Sequence, residues 1–258
     1  MFACSLAIDV PMQTHRAAWS ASLFVVGLGS ALTYISYARR TSHPLFKLAL
    51  FSEPNFSVGL IGNLVCRIGS SAVPFLVPLL LQLQLGYTPL HSGLMMLPAA
   101  LAGTVAKRWI APLIQRYGYE TFLLVNTVIV GGSIVAFALF STATPIVIEI
   151  AVLAIFGAAN SMQFAAMNSV TLKGLSIADA GSGNSLFSMV QMLAIGLGVS
   201  IGGGLVNVFT GEWGSAALGF RLSFICVGLI TLASALVFRR LAKEPATLAH
   251  TAPRVARQ

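Results

Sequence analysis

Between Ser57 and Glu120 the chain runs SVGLIGNLVCRIGSSAVPFLVPLLLQLQLGYTPLHSGLMMLPAALAGTVAKRWIAPLIQRYGYE, two apolar runs joined by a short polar turn and closed by a basic stretch. The first run carries one arginine, Arg67, about halfway along. If residues 57–82 cross a bilayer, Arg67 lies about 15 Å deep at ~1.5 Å per residue, near the midplane of a hydrocarbon core about 30 Å thick. A guanidinium at that depth costs at least about 2.5 kcal/mol unless it faces the interior of a helix bundle or a watery cavity. One face of this span must therefore be shielded from lipid.

Composition fixes the class. With 57% hydrophobic and 9% charged residues, a water-soluble fold would lack the charge to cover its surface. The chain reads as an all-α integral membrane protein, in contact with the lipid bilayer. Its net charge of +8 does not point to nucleic acid, because the basic residues fall in short connections and the tail rather than on one helix face. Cys4, Cys66 and Cys226 have no metal or redox spacing and read as small packing residues. His15, His43, His91 and His250 are equally scattered, so no metal and no cofactor is expected.

Residues 2–8 are apolar but too short to span, and read as the end of a truncated helix, with an external loop completing 1–18. A linker transmembrane helix follows at 19–38, then a cytoplasmic loop at 39–56 with a short amphipathic piece over Leu45 to Phe51. Six more spans are expected at about 57–82, 91–110, 121–140, 146–171, 184–208 and 219–238, making seven in all. A tail occupies 239–258.

Lysine and arginine placement orients them, because basic loops stay on the cytoplasmic side. The connections after the first, third, fifth and seventh spans carry Arg39, Arg40 and Lys47; Lys107, Arg108 and Arg116; Lys173; and Arg239, Arg240, Lys243, Arg254 and Arg257. The other side carries only Arg16 and Arg221. The C-terminus is therefore expected in the cytoplasm.

The six spans over 57–238 divide into two triplets of matching character. The first span of each has polar residues along one face: Asn63, Arg67, Ser70, Ser71 and Pro74 in one, Asn160, Gln163, Met167 and Asn168 in the other. The second of each is rich in small residues, Gly93, Ala99, Ala100 and Gly103 against Gly196, Gly198, Gly202, Gly203 and Gly204, and the third is more uniformly apolar. Two such triplets starting from opposite sides are what an inverted three-plus-three repeat requires, and its substrate path is lined by the first helix of each.

Several residues support a family resemblance. LLLQLQLGYTPLHSGLMMLP, Leu79 to Pro98, is similar to a stretch of the fourteen-helix drug:proton antiporters of the major facilitator superfamily, the EmrB/QacA type, where a helix ends in Leu-Gln and turns through Gly-Tyr-Ser-Pro. APLIQRYGYE, Ala111 to Glu120, resembles the second copy of that superfamily's cytoplasmic motif. Arg116 and Gly118 match it, while Ala111, Gln115 and Glu120 stand where the pattern has glycine, aspartate and arginine. Asp179 to Gly204 resembles the family's Gly-rich eleventh core helix. CRIG around Arg67, the Lys107-Arg108 pair, Asn168, Leu172, Lys173 and Gly183 to Ser185 look most like the MdtD-like multidrug resistance proteins of that type.

The resemblance implies the C-terminal half of a proton-coupled multidrug efflux permease in the cell inner membrane, a multi-pass transporter for small amphipathic or drug-like substrates. It also implies an N-terminal six-helix bundle as partner, absent from this chain, and a chain not competent alone.

Asn63, Arg67, Asn160, Gln163 and Met167 are the candidate cavity residues. Arg67 has a second reading, as a donor to backbone carbonyls freed by Pro74 and Pro78. Asn63, Asn160 and Gln163 have one as interhelical hydrogen-bond glue, and Met167 as simple packing. The GSGNS run at Gly181 to Ser185 reads as a helix start capped by Ser182 or Asn184. Of seven acids only Glu149 enters a span, near its outer end. It either titrates at the cavity mouth, as the candidate for proton coupling, or snorkels to the interface as an ordinary helix N-terminal anion. The resemblance implies that the main coupling carboxylate lies in the partner half. The alternative is an inert or structural membrane fragment, or an assembly partner of a separately encoded N-terminal half. An enzyme is excluded for want of a nucleophile elbow, a metal cluster or paired carboxylates at membrane depth.

Overall fold

The computed structural model describes residues 50, 53–173, 175–213 and 215–241. The expected linker helix at 19–38, residues 1–18, most of the 39–56 loop and the tail beyond 241 lie outside the described residues. The described residues form eight α-helices: α1 Pro54–Ser70, α2 Val73–Leu83, α3 Pro89–Met95, α4 Leu97–Ala106, α5 Ile110–Phe137, α6 Ile146–Leu172, α7 Ile177–Trp213 and α8 Ala216–Phe238.

Proline and glycine set the breaks. Pro54 opens α1 at a position where a missing N–H costs nothing. Pro74 cannot donate to the Ser70 carbonyl, so the span expected at 57–82 is interrupted at Ser71 and Ala72 and resumes as α2. Pro78 is carried inside α2, and the carbonyl of Pro78 accepts from Ser92 Oγ at 3.3 Å. The chain then turns through Gly86, at φ 72°, into α3, capped by Thr88, whose hydroxyl accepts from the His91 amide at 3.3 Å.

Two expectations are corrected. Residues 111–120 are helical rather than a loop, being the first part of α5, and the chain changes direction only at Gly118 (φ 77°, ψ 163°). That backbone region is open essentially to glycine alone. The run Gly181 to Ser185 lies inside α7, which starts four residues before it. Ser176 caps that start: its hydroxyl accepts from the Asp179 amide at 3.2 Å and donates to Asp179 Oδ2 at 2.7 Å.

Five described stretches are long and apolar enough to cross a membrane, and one of them, Pro89–Phe137, has 49 residues. It doubles back. Gly103 of α4 lies against Gly157 and Ser161 of α6, and Asn126 of α5 donates to the Ala159 carbonyl of α6 at 2.8 Å. On one straight helix residues 103 and 126 would be about 35 Å apart, yet both meet the same level of α6. The described residues thus make six crossings.

The packing repeats itself when the two triplets are exchanged. Second helix meets opposite first helix: Ala99 and Gly103 of α4 against Gly157 and Ser161 of α6, and Gly198 of α7 against the Ile68 carbonyl at the end of α1. Third meets opposite first: Asn126 of α5 on α6, and Thr231 of α8 beside Gly69 of α1. Third meets third through Gly131 and Gly228, where a Cβ on Gly228 would stand 3.1 Å from the Gly131 carbonyl oxygen. This reciprocity is the pseudo-two-fold of an inverted repeat.

The third helices are less uniformly apolar than expected. Asn126, Thr127 and Ser133 of α5 and Ser223, Thr231 and Ser234 of α8 are buried, while Val125, Val128, Leu229 and Leu236 point outward. An apolar exterior over polar interior faces is the arrangement hydrocarbon demands.

Gly157→Val, whose side chain would meet the Ala99 backbone, is expected to lower stability by about 1–3 kcal/mol. Gly196→Ala, into open space, should stay within about 0.5 kcal/mol. Gly118→Ala should cost about 1–3 kcal/mol. Reversible unfolding of the detergent-solubilised chain in sodium dodecyl sulfate checks all three.

Candidate functional site

Asn63 and Arg67 are one turn apart on α1, and Asn160 and Phe164 one turn apart on α6. The two pairs meet at the α1–α6 seam, where the Arg67 guanidinium carbon stands 3.7 Å from the centroid of the Phe164 ring. A cation over a ring face in a desolvated setting gains about 2 kcal/mol. Arg67 itself is half-buried, and its Nε has no hydrogen-bond partner. Asn63 is fully buried with both amide atoms unpartnered, and Asn160 Oδ1 is unpartnered too.

Each unsatisfied group costs about 1–3 kcal/mol where water is absent. The row Asn63–Arg67–Phe164–Asn160 therefore offers two donors and two acceptors that find no partner among the described residues, beside an aromatic face on which Arg67 stacks. Arg67 also lies in the last turn of α1, where a cation complements the negative end of the helix dipole. The interruption at Ser71 and Ala72 follows immediately.

The other expected cavity residues fall elsewhere. Gln163 is fully buried and held on both sides: Asn126 Nδ2 donates to its Oε1 at 2.7 Å, and its Nε2 donates to Thr127 Oγ1 at 2.7 Å. It ties α6 to α5. Met167 is fully buried in an apolar cluster with Cys66, Phe122 and Leu123. Asn168, one residue on, is exposed and accepts from Gln191 Nε2 of α7 at 3.0 Å.

Glu149, in the first turn of α6, is only 1% exposed, so it does not snorkel. The Tyr87 hydroxyl, in the turn between α2 and α3, donates to Glu149 Oε2 at 3.1 Å. Burial first, and then the neighbouring Glu149, hold the Tyr87 phenol above the ordinary tyrosine range. This pair is at the end of the bundle away from the basic connections. Arg116 and Gly118 lie at the basic end, Arg116 exposed with its guanidinium carbon 5.4 Å from the Tyr117 ring centroid. Lys173 stands there too, 5.2 Å from the Tyr119 ring centroid. Among the described residues no cluster of three His, Cys, Asp or Glu could hold a metal ion.

Sequence reasoning missed Asn126, Thr127, Tyr87 and Phe164. Asn126 had a usable signal, since an amide inside an apolar run must find a partner. The aromatic partners had none, because an apolar ring in an apolar span looks the same whether it faces lipid or a cation.

Apolar crossings in two interlocking triplets, with unspent polar groups at the seam of their first helices, define a transporter-type membrane bundle. The chain belongs to the Major Facilitator Superfamily, whose family description matches residues 36–199. It is 38% identical over 225 residues to the "Putative multidrug resistance protein MdtD" of Pectobacterium atrosepticum, covering 85% of this chain and 48% of that protein. A protein of the same name from Salmonella paratyphi A is 34% identical over 261 residues, 95% of this chain and 53% of that one. The chain spans about half the length of the curated relatives it matches.

In a double-mutant cycle, Asn126→Ala and Gln163→Ala should be non-additive by about 1 kcal/mol, because they share a hydrogen bond inside the bundle. Equilibrium unfolding of the single and double variants measures it. Strict additivity would mean that the pair is not formed in the bilayer.

Proposed function

We propose that this chain is the C-terminal bundle of a multidrug efflux permease, one wall of a central cavity through which small amphipathic substrates leave the cell. The observation that carries this reading is the unsatisfied row Asn63, Arg67 and Asn160, together with Phe164. It lies between the first helices of the two triplets, where alternating-access transporters built from inverted repeats hold their substrates. An amphipathic molecule would set its polar group against Arg67 and Asn160, the half-buried polar members of the row, and its apolar part beside Phe164, with Asn63 buried behind them. Gln163 and Met167 belong to the wall itself, fixing α6 against α5 and α1.

In this reading the basic end faces the cytoplasm of a cell whose inner membrane holds the protein, following the usual bias of lysine and arginine. The C-terminus is then cytoplasmic. A six-helix bundle equivalent to the other half of the relatives supplies the opposite wall and the main proton-coupling carboxylate. Glu149, buried beside Tyr87 at the outer end, is the candidate for proton coupling within this half. Arg116 and Gly118 serve the cytoplasmic motif, Gly118 by the turn that only glycine makes there.

The test is a chimera joining the N-terminal half of the Salmonella relative to this chain, expressed in a pump-deficient strain. Drug export is expected from the chimera and not from the chain alone. Arg67→Ala in the chimera should cut export about tenfold while its amount in the membrane stays the same. Unchanged export would remove Arg67 from the site, and drug tolerance conferred by the chain alone would overturn the half-transporter reading.

A further inference from the structure

A cavity of about 220 Å³ opens at the end of the bundle opposite the basic connections, between the end of α2, the α5–α6 connection and the start of α8. Its floor is aromatic: Phe137, Phe140 and Phe220 line it and are buried. Its rim is polar, with Gln84, Thr142 and the exposed guanidinium of Arg221. Among the described residues no acidic side chain lines it. α8 begins there, so the positive end of its dipole adds to the arginine's charge.

Two features make this more than a surface dent. Arg221 is the one lysine or arginine at this end of the described bundle, on the side from which basic residues are normally excluded. The cavity also combines that charge with an apolar floor at the level where spans end, the depth of lipid headgroups. Its volume is about seven times one water's share of liquid, ~30 Å³, and below the roughly 300–1,000 Å³ usual for drug-sized ligands. That suits a headgroup and the first carbons beneath it.

We propose that this cavity binds an anionic phospholipid, with the phosphate oxyanion on Arg221 and the glycerol and proximal acyl carbons against the three phenylalanines. Arginine pairs with phosphate through parallel N–H···O bonds, and an arginine near the end of a membrane helix extends its guanidinium to the interface where headgroups lie. A zwitterionic lipid carries the same phosphate with a cation beside it, which Arg221 repels. Free phosphate shares the oxyanion but gains nothing from the phenylalanine floor.

Native mass spectrometry of the purified full chain, titrated separately with phosphatidylglycerol, phosphatidylcholine and inorganic phosphate, tests this. Phosphatidylglycerol should bind about tenfold more tightly than either alternative. That preference should vanish in Arg221→Gln and survive in Arg239→Gln, at the opposite end. Thr142→Trp, which fills the mouth from an exposed position, should weaken phosphatidylglycerol binding without altering helix content. Equal binding of phosphatidylglycerol by wild type and Arg221→Gln would overturn the proposal, as would inorganic phosphate competing on equal terms with the lipid.

Discussion

Lipid tails are as apolar as leucine, so membrane helices have no hydrophobic reason to leave lipid for one another. What holds this bundle is close backbone approach through small residues, supplemented by a few buried hydrogen bonds. Gly157 on the Ala99 carbonyl and Gly198 on the Ile68 carbonyl are the same contact made twice, once in each direction across the pseudo-two-fold. Gly131 and Gly228 close the third helices on each other. Each first helix is thereby clamped by the second and third helices of the other triplet. The faces left over, on α1 and α6, meet at the seam that carries Asn63, Arg67 and Asn160.

Most of the architecture was legible in the sequence because membranes impose simple lengths and strict polar accounting. Apolar runs near twenty residues marked the crossings, and the two triplets showed in the placement of amides and glycines. Local backbone geometry was less legible. Residues 111–120 look like a loop by charge but are helical up to Gly118, since charge at a membrane surface does not oppose helix formation. Gly181 to Ser185 looks like a cap, yet Ser176 provides it.

The site was half legible for a related reason. Spacing placed Asn63 and Arg67 on one face, and Asn160, Gln163 and Met167 near one face of α6, but it could not say which would find partners within the bundle. Gln163 is satisfied by Asn126 and Thr127, residues in a span that read as apolar. Asn63, Arg67 and Asn160 are left with unpartnered atoms. Glu149 is the converse case: a residue at the edge of a span, where snorkelling is easy, is buried under a tyrosine from a neighbouring turn.

The interruption at Ser71 and Ala72 divides the first crossing between two blocks of the interior. Cys66, below it, packs with Phe122, Met167 and Phe238, whereas Val73, Leu76, Val77 and Leu80, above it, pack with Phe137, Phe156 and Phe224. Because Pro74 removes one rung of the ladder between them, a single crossing is anchored in two separate parts of the core, and a substitution on one side of Ser71 bears on different neighbours from one on the other.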